Sequence, residues 1–277
     1  MAKEVAVVTG AGSGIGHAIA LRLAKDYALI NIDINGDNLK KVEAEIKNNG
    51  GEVQSLVGDV SKRDTHIRAR EMASAAGKLT AWVNCAGWTR GAALHDFPND
   101  SRVFEELMGT NQNGTFWGCA EAVHYFVNHK VKGAIVNISS VHGRRAWRDH
   151  AVYEMTKGAV DALTRNVAVT YGPYGIRCNA VAPGAVMTPA LAQSFVDAPD
   201  PQARRESLEL LTPLKRIAND SEIAEVVSFL LSEKASYVSG QSLAVEGAWT
   251  SALGVGDLDP ELAKSYGLDA KSGLPQR

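Results

Sequence analysis

The sequence predicts an α/β fold: a Rossmann-type, doubly wound parallel sheet of about seven strands, flanked by helices on both faces, in a single domain. Three observations predict it. Short β-branched apolar runs alternate with longer amphipathic stretches up to about residue 250. Strands that read as continuous apolar runs are those buried on both faces of a parallel sheet. The first run passes into a turn with glycines at alternate positions, Gly10, Gly12, Gly14 and Gly16. An acidic residue, Asp33, closes the second run.

Taken in order, residues 5–8 form a first strand and 14–25 a helix entered through the glycines. Residues 28–32 form a second strand and 37–49 a charged amphipathic helix. Strands follow at 53–57, 81–83, 134–138 and 177–181. Helices at 65–76, 102–129 and 151–171 lie between them, identified by apolar residues at helical spacing. A helix over 221–232 has Ser221 as its N-cap, and 241–245 is the last strand. Two stretches break the alternation. Residues 188–214 are rich in Pro, Ala and charge, and are expected to be a mobile cover over a site. Residues 251–277 are a Gly- and Pro-spaced tail, expected to be loose or to pack on a neighbouring subunit. The domain therefore spans 1–250, with the 188–214 segment as a substrate loop.

Composition excludes several classes. The chain has 277 residues, 45% hydrophobic, with a formal net charge of −2. That is ordinary for a globular protein and shows no basic excess for nucleic acid or an anionic membrane. No apolar run approaches the ~18 residues needed to span a bilayer, and the N-terminus enters a strand with no signal-peptide core. Cys85, Cys119 and Cys178 are far apart and lack metal-ligand spacing. They read as reduced thiols of a cytoplasmic protein, and no metal site is expected.

The glycine turn removes side chains where a backbone must bend sharply and approach a ligand. The helix that follows offers free N–H groups and a partial positive charge to a pyrophosphate. Asp33 stands where a carboxylate accepts hydrogen bonds from an adenosine ribose. The same charge repels a 2′-phosphate, and neither Ser13 nor Ile34 supplies a cation to bind one. NAD is therefore expected in preference to NADP. The alternative for Asp33 is a solvated strand end.

The chemistry is carried by Ser140, Tyr153 and Lys157. Tyr153 is the only one of the seven tyrosines with a lysine four residues later. One helical turn places the two on one face. A fixed positive charge favours the phenolate and lowers the phenol pKa, which suits proton exchange with an alcohol or ketone.

Together these residues resemble the short-chain dehydrogenase/reductase family, from Val5 to Ala248. Thr9, Gly10, Gly14 and Gly16 fit its cofactor turn, and Asp59-Val60 its adenine-contacting acidic dipeptide. Asn84, Cys85, Ala86 and Gly87 fit the segment after its fourth strand. Asn111, followed by Gly114, fits its mid-helix asparagine, although Asn113 competes on spacing. Pro183-Gly184, Val186 and Thr188 fit the segment flanking the nicotinamide. The resemblance implies that Tyr153 is the general acid/base and that Ser140 holds the substrate oxygen. It also implies that Lys157 binds the nicotinamide ribose and lowers the Tyr153 pKa, and that Asn111 holds a water linked to Lys157. The cofactor set it implies is Gly10, Gly12, Ser13, Gly14, Ile15, Gly16, Asp33, Ile34, Asp59, Val60, Asn84, Ala86, Gly87, Tyr153, Lys157, Pro183, Gly184, Val186 and Thr188. It further implies a homotetramer.

Substrate residues are expected in the segment after Ser140. His142, Arg144, Arg145, Trp147 and His150, with Trp88, suit a polar, anionic, bulky or aromatic substrate; a solvated loop or subunit contact is the alternative. Glu154 reads as structural. The expected function is an NAD-dependent oxidoreductase for a secondary alcohol and its ketone. The alternatives are an epimerase or dehydratase using the same Tyr–Lys pair, or a non-catalytic NAD-binding regulatory protein.

Overall fold

The computed structural model describes residues 3–253 and 257–275. Strands β1 (Glu4–Thr9), β2 (Ala28–Asp33), β3 (Val53–Val57), β4 (Lys78–Asn84), β5 (Ala134–Ile138), β6 (Arg177–Pro183) and β9 (Ser242–Val245) form one seven-stranded sheet. Their order is β3-β2-β1-β4-β5-β6-β9, and every pairing is parallel. The order reverses between β1 and β4. That switch point opens a crevice at the carboxyl ends of the strands, where ligands of such sheets bind.

Alternate residues of the central strands feed two cores. Ala6 and Val8 of β1 join Ile19 and Leu23 of α1 (Gly14–Leu23), Leu39 and Ile46 of α2 (Gly36–Asn48), and Ile223 and Val227 of α9 (Asp220–Leu231). Val5 and Val7 join Ala69 and Ala73 of α3 (Arg63–Ala76), Phe126 of α5 (Gly114–His129) and Val167 of α6 (Ala151–Tyr171). Both faces of the sheet are covered, which is why the strands read as unbroken apolar runs.

The structure corrects three expectations. The helix expected over 102–129 is interrupted: α4 (Arg102–Leu107) passes through a π-helical segment, Met108–Asn113, before α5 begins. The residue capping α9 is Asn219, not Ser221. Asn219 and Glu222 form a reciprocal capping box, with Asn219 N–H donating to Glu222 Oε2 at 2.8 Å. This satisfies two orphan groups where a serine two positions past the cap satisfies none. The segment 188–214 is largely helical. The pair β7 (Val186–Met187) and β8 (Ala218–Asn219) closes its base, and α7 (Pro189–Val196) and α8 (Pro201–Glu209) each start on a proline behind a capping Thr188 or Asp200.

The tail contains α10 (Pro260–Ser265) and an antiparallel bridge between Leu268 and Pro275. Gly273 lies against the Lys215 side chain, so this part of the tail rests on its own chain. Tail residues 254–256 and 276–277 lie outside the described residues. No helix among the described residues is long and apolar enough to cross a membrane.

Candidate active site

The glycine turn sits at the switch point, and its tightness is measurable. Gly10 has φ +70°, and a Cβ there would lie 2.7 Å from Ala86 Cα. A Cβ on Gly16 would lie 2.0 Å from the Gly10 carbonyl oxygen. Gly12 N–H donates to Asp33 Oδ2 at 2.9 Å, and Asn35 N–H to Asp33 Oδ1 at 2.9 Å. Asp33 thus joins the turn to the end of β2, with Ile34 beside it 72% exposed. Thr9 Oγ1 accepts from the N–H groups of Cys85 and Ala86, which ties the turn to the end of β4. Ser13 is exposed at the N-cap of α1, while the Ile15 side chain packs into the core. Gly14 faces the Thr188 methyl, where a Cβ would come within 3.1 Å. This cradle of bare backbone beside a carboxylate fits the adenosine-pyrophosphate half of a dinucleotide.

Other residues of the expected cofactor set fall into two groups. Pro183 ends β6, Gly184 N–H donates to Val245 O at 3.1 Å, and Val186 and Thr188 follow on the base of the helical segment. Asp59 caps the turn before α3 by accepting from Ser61 N–H at 2.8 Å, and Val60 is buried against Gly114. Asn84 is different, because its side chain faces the interior. Its Oδ1 accepts from Trp82 Nε1 at 2.9 Å, and its Nδ2 donates to Asn137 Oδ1 at 2.8 Å.

Ser140 follows β5 and Tyr153 and Lys157 lie on the first turns of α6, so the triad meets at the carboxyl edge of the sheet. Ser140 Oγ accepts from His142 N–H at 3.2 Å, which leaves its own proton free to donate. Ser139, its neighbour, is buried and donates to Lys157 O at 3.3 Å. Lys157 is 5% exposed; its Nζ donates to Ile138 O at 2.8 Å and lies 5.7 Å from the Tyr153 ring centroid. Burial pulls the Lys157 pKa down to about 8.

The Tyr153 phenol departs from the expectation. Burial pushes its pKa up, and a hydrogen bond with Ser140 works in the opposite direction. Loss of hydration outweighs stabilisation of the phenolate in this pocket. Tyr153 therefore stands as a protonated phenol at neutral pH.

Asn111 is fully buried inside the π-helical segment. Its Oδ1 accepts from Trp88 N–H at 3.1 Å, and its Nδ2 donates to Trp88 O at 2.9 Å and Thr156 Oγ1 at 3.3 Å. A Cβ on Gly87 would meet Asn111 Oδ1 at 3.1 Å and Lys157 Nζ at 3.5 Å, so Gly87 lets the two approach. Asn113 is exposed. Single π turns within helices often occur at functional sites.

The structure sorts the expected substrate residues. The rings of His142 and His150 flank Tyr153, with centroids 5.4 Å and 6.5 Å away. Trp147 packs edge-on against Trp249 at 6.1 Å. Arg144 instead pairs with buried Asp161 at 3.6 Å, and Arg145 donates to Thr250 O at 3.4 Å. Trp88 contributes main-chain groups to Asn111. Glu154 organises the loop, because its Oε1 accepts from Trp147 N–H at 2.5 Å and lies 3.5 Å from His142 Nδ1. The structural reading of Glu154 agrees with these contacts, although the sequence did not show which loop groups it would hold.

A doubly wound parallel sheet with a glycine turn at its switch point defines a class, the α/β proteins of Rossmann type. Comparison with known proteins narrows it. A family model of that lineage, described as "Enoyl-(Acyl carrier protein) reductase", matches residues 10–250. Glucose 1-dehydrogenase of Gluconobacter oxydans (strain 621H) is 36% identical over 254 residues, covering 90% of this chain and 92% of the relative. The crystal structure of levodione reductase superposes with a TM-score of 0.84 at 32% identity, over 90% of this chain and 98% of that one. An actinorhodin polyketide ketoreductase variant with NADPH gives 0.84 at 27% identity, over 90% and 98%. The chain belongs to the short-chain dehydrogenase/reductase family. It is, at that level, an alcohol/ketone oxidoreductase.

Proposed function

We propose that the protein is an NAD-dependent dehydrogenase that interconverts a secondary alcohol and its ketone, with Tyr153 as general acid/base. One observation carries this reading: Ser140, Tyr153 and the buried Lys157 ammonium converge beside a glycine turn whose neighbour is Asp33. A bound nicotinamide supplies the hydride acceptor or donor. The residues of the chain do the rest. Ser140, with its oxygen already engaged by His142 N–H, donates its proton to the substrate oxygen. Tyr153 exchanges a proton with that same oxygen through its hydroxyl. Two donors aimed at one oxygen stabilise the negative charge that develops there. In oxidation the alcohol C–H bond breaks with its electron pair leaving as hydride, and the O–H proton passes to the phenolate form of Tyr153, reached once the phenol has released its own proton to solvent. Ketone reduction reverses both transfers.

Support for NAD over NADP is Asp33, which holds a negative charge against the turn with only exposed Ile34 beside it. The NADPH-bound ketoreductase shows that the fold alone does not decide the cofactor. Relatives named for glucose and levodione support an oxygenated, ring-sized substrate. Exposed Phe116 and Met155 on α5 and α6 support the homotetramer that the family resemblance implies.

The test is the Tyr153→Phe variant. It should bind NAD yet lose about 10²–10⁴ in turnover of secondary alcohols. Near-normal turnover would sink the assignment. Assays with secondary alcohols and, separately, nucleotide-sugars remove the epimerase reading if NADH accumulates with the alcohols alone.

A further inference from the structure

The loop between β5 and α6 is built so that one residue touches both proton-handling groups. The His142 main-chain N–H holds Ser140 Oγ, and the His142 ring stands edge-on to Tyr153 at 67°. The ring also lies 5.5 Å from His150. Whatever extends from the reacting carbon on this side meets the His142 ring.

Two facts define what that ring offers. Its Nδ1 is buried and faces Glu154, with no closer partner among the described residues. The side chain as a whole keeps 18% of its surface, and Nδ1 is the ring nitrogen buried without a hydrogen-bond partner, which leaves Nε2 as the nitrogen a ligand can meet. Burial pushes the His142 pKa down and His150 adds to this, against the pull of Glu154, so the ring is neutral near pH 7. A neutral imidazole has one N–H and one lone pair. Facing a carboxylate, the proton sits on Nδ1 and the lone pair on Nε2.

We propose that His142 is a specificity-determining residue whose Nε2 accepts a hydrogen bond from a second hydroxyl on the carbon next to the reacting one, so that the enzyme selects vicinal diols and polyols over isolated alcohols. This rests on the alcohol–ketone reading above. An anionic substrate fits less well. A lone pair repels a carboxylate, and Arg144 and Arg145 of the same loop are taken up by Asp161 and the Thr250 carbonyl. His150 is the nearest competitor. Its Nδ1 is 2.7 Å from Arg148 O, and its ring lies farther from Tyr153 than that of His142.

The test compares trans-cyclohexane-1,2-diol with cyclohexanol, using NAD, in the wild type and in His142→Leu, His142→Gln and His150→Leu. NAD binding, followed by quenching of tryptophan fluorescence, reports that each variant is folded with its cofactor site intact. In the wild type, kcat/KM for the diol should exceed that for cyclohexanol on the order of tenfold, the scale of one neutral hydrogen bond. The ratio should fall toward one in His142→Leu and be partly retained in His142→Gln, whose amide keeps a polar atom near the Nε2 position. A wild-type ratio near one overturns the proposal. So does a ratio that survives His142→Leu, or one lost in His150→Leu alone. Oxidation of both alcohols with equal efficiency overturns the role of His142 and leaves the alcohol reading standing. A wild type that turns over neither alcohol, nor the corresponding ketones, overturns both.

Discussion

Replacing Lys157 with methionine should give a stability change whose dependence on pH follows from burial of the ammonium. Burial lowers the Lys157 pKa from 10.5 to about 8; the neighbouring Cys85 and Asp161 oppose it without cancelling it. Between those two values the unfolded chain holds a proton that the folded protein has released. Wild-type stability therefore rises with pH through this window, and below it the fold carries the full cost of the buried charge. The interval corresponds to about 3 kcal/mol. Methionine fills a similar volume without charge. Loss of the 2.8 Å bond to Ile138 O costs about 1–3 kcal/mol, but by the same amount at every pH. Variant stability relative to wild type should thus fall by about 3 kcal/mol between about pH 7 and about pH 10.5. Urea unfolding of both proteins without cofactor, at one protomer concentration and at both pH values, measures it. A difference constant to within about 1 kcal/mol would refute the reasoning and mean that the site solvates its lysine.

Other consequences can be checked singly. Gly118→Ala would place a Cβ 1.9 Å from Asn84 Oδ1 and 2.8 Å from Trp82 Nε1. Breaking that buried pair should cost about 1–6 kcal/mol in thermal or urea unfolding, from one or two unpaired groups; an unchanged midpoint contradicts this. Gly16→Ala drives a methyl into the Gly10 carbonyl and should weaken NAD about 10- to 100-fold by titration, the scale of overpacking. Asp33→Ser combined with Ile34→Arg should move the kcat/KM ratio of NADP to NAD upward on the order of 10²-fold, since unit charges about 4 Å apart near a surface interact by a few kcal/mol. An unmoved ratio would show that Asp33 does not select the cofactor.

The sheet was legible because its strands are buried on both faces, and a run such as Val5–Val8 leaves no other reading. The glycine turn was legible because close backbone approach admits no other residue, as Gly16 against the Gly10 carbonyl demonstrates. The π-helical turn was not. Its residues, Met108–Asn113, include one glycine, Gly109, which alone does not mark an extra residue in a turn, and only the insertion of Asn111 against Trp88 and Thr156 reveals it. The helices in 188–214 were hidden because proline and charge read as loop, whereas here each proline occupies a first-turn position behind a cap. Spacing placed Tyr153 and Lys157 on one face but said nothing about hydration, and hydration sets the direction in which both groups titrate.

The Asn84 network has a consequence for how such chains drift. Asn84, Trp82 and Asn137 pair with one another in the buried interior, Asn137 reaches on to Thr164 at 2.9 Å, and Gly118 leaves no room for a methyl. A change at any one of these positions strands a polar atom at another. Single substitutions here should cost stability, and paired ones that restore the hydrogen bonds should cost less. The asparagine that looks like a mark of the ligand site is held in place by the interior behind it.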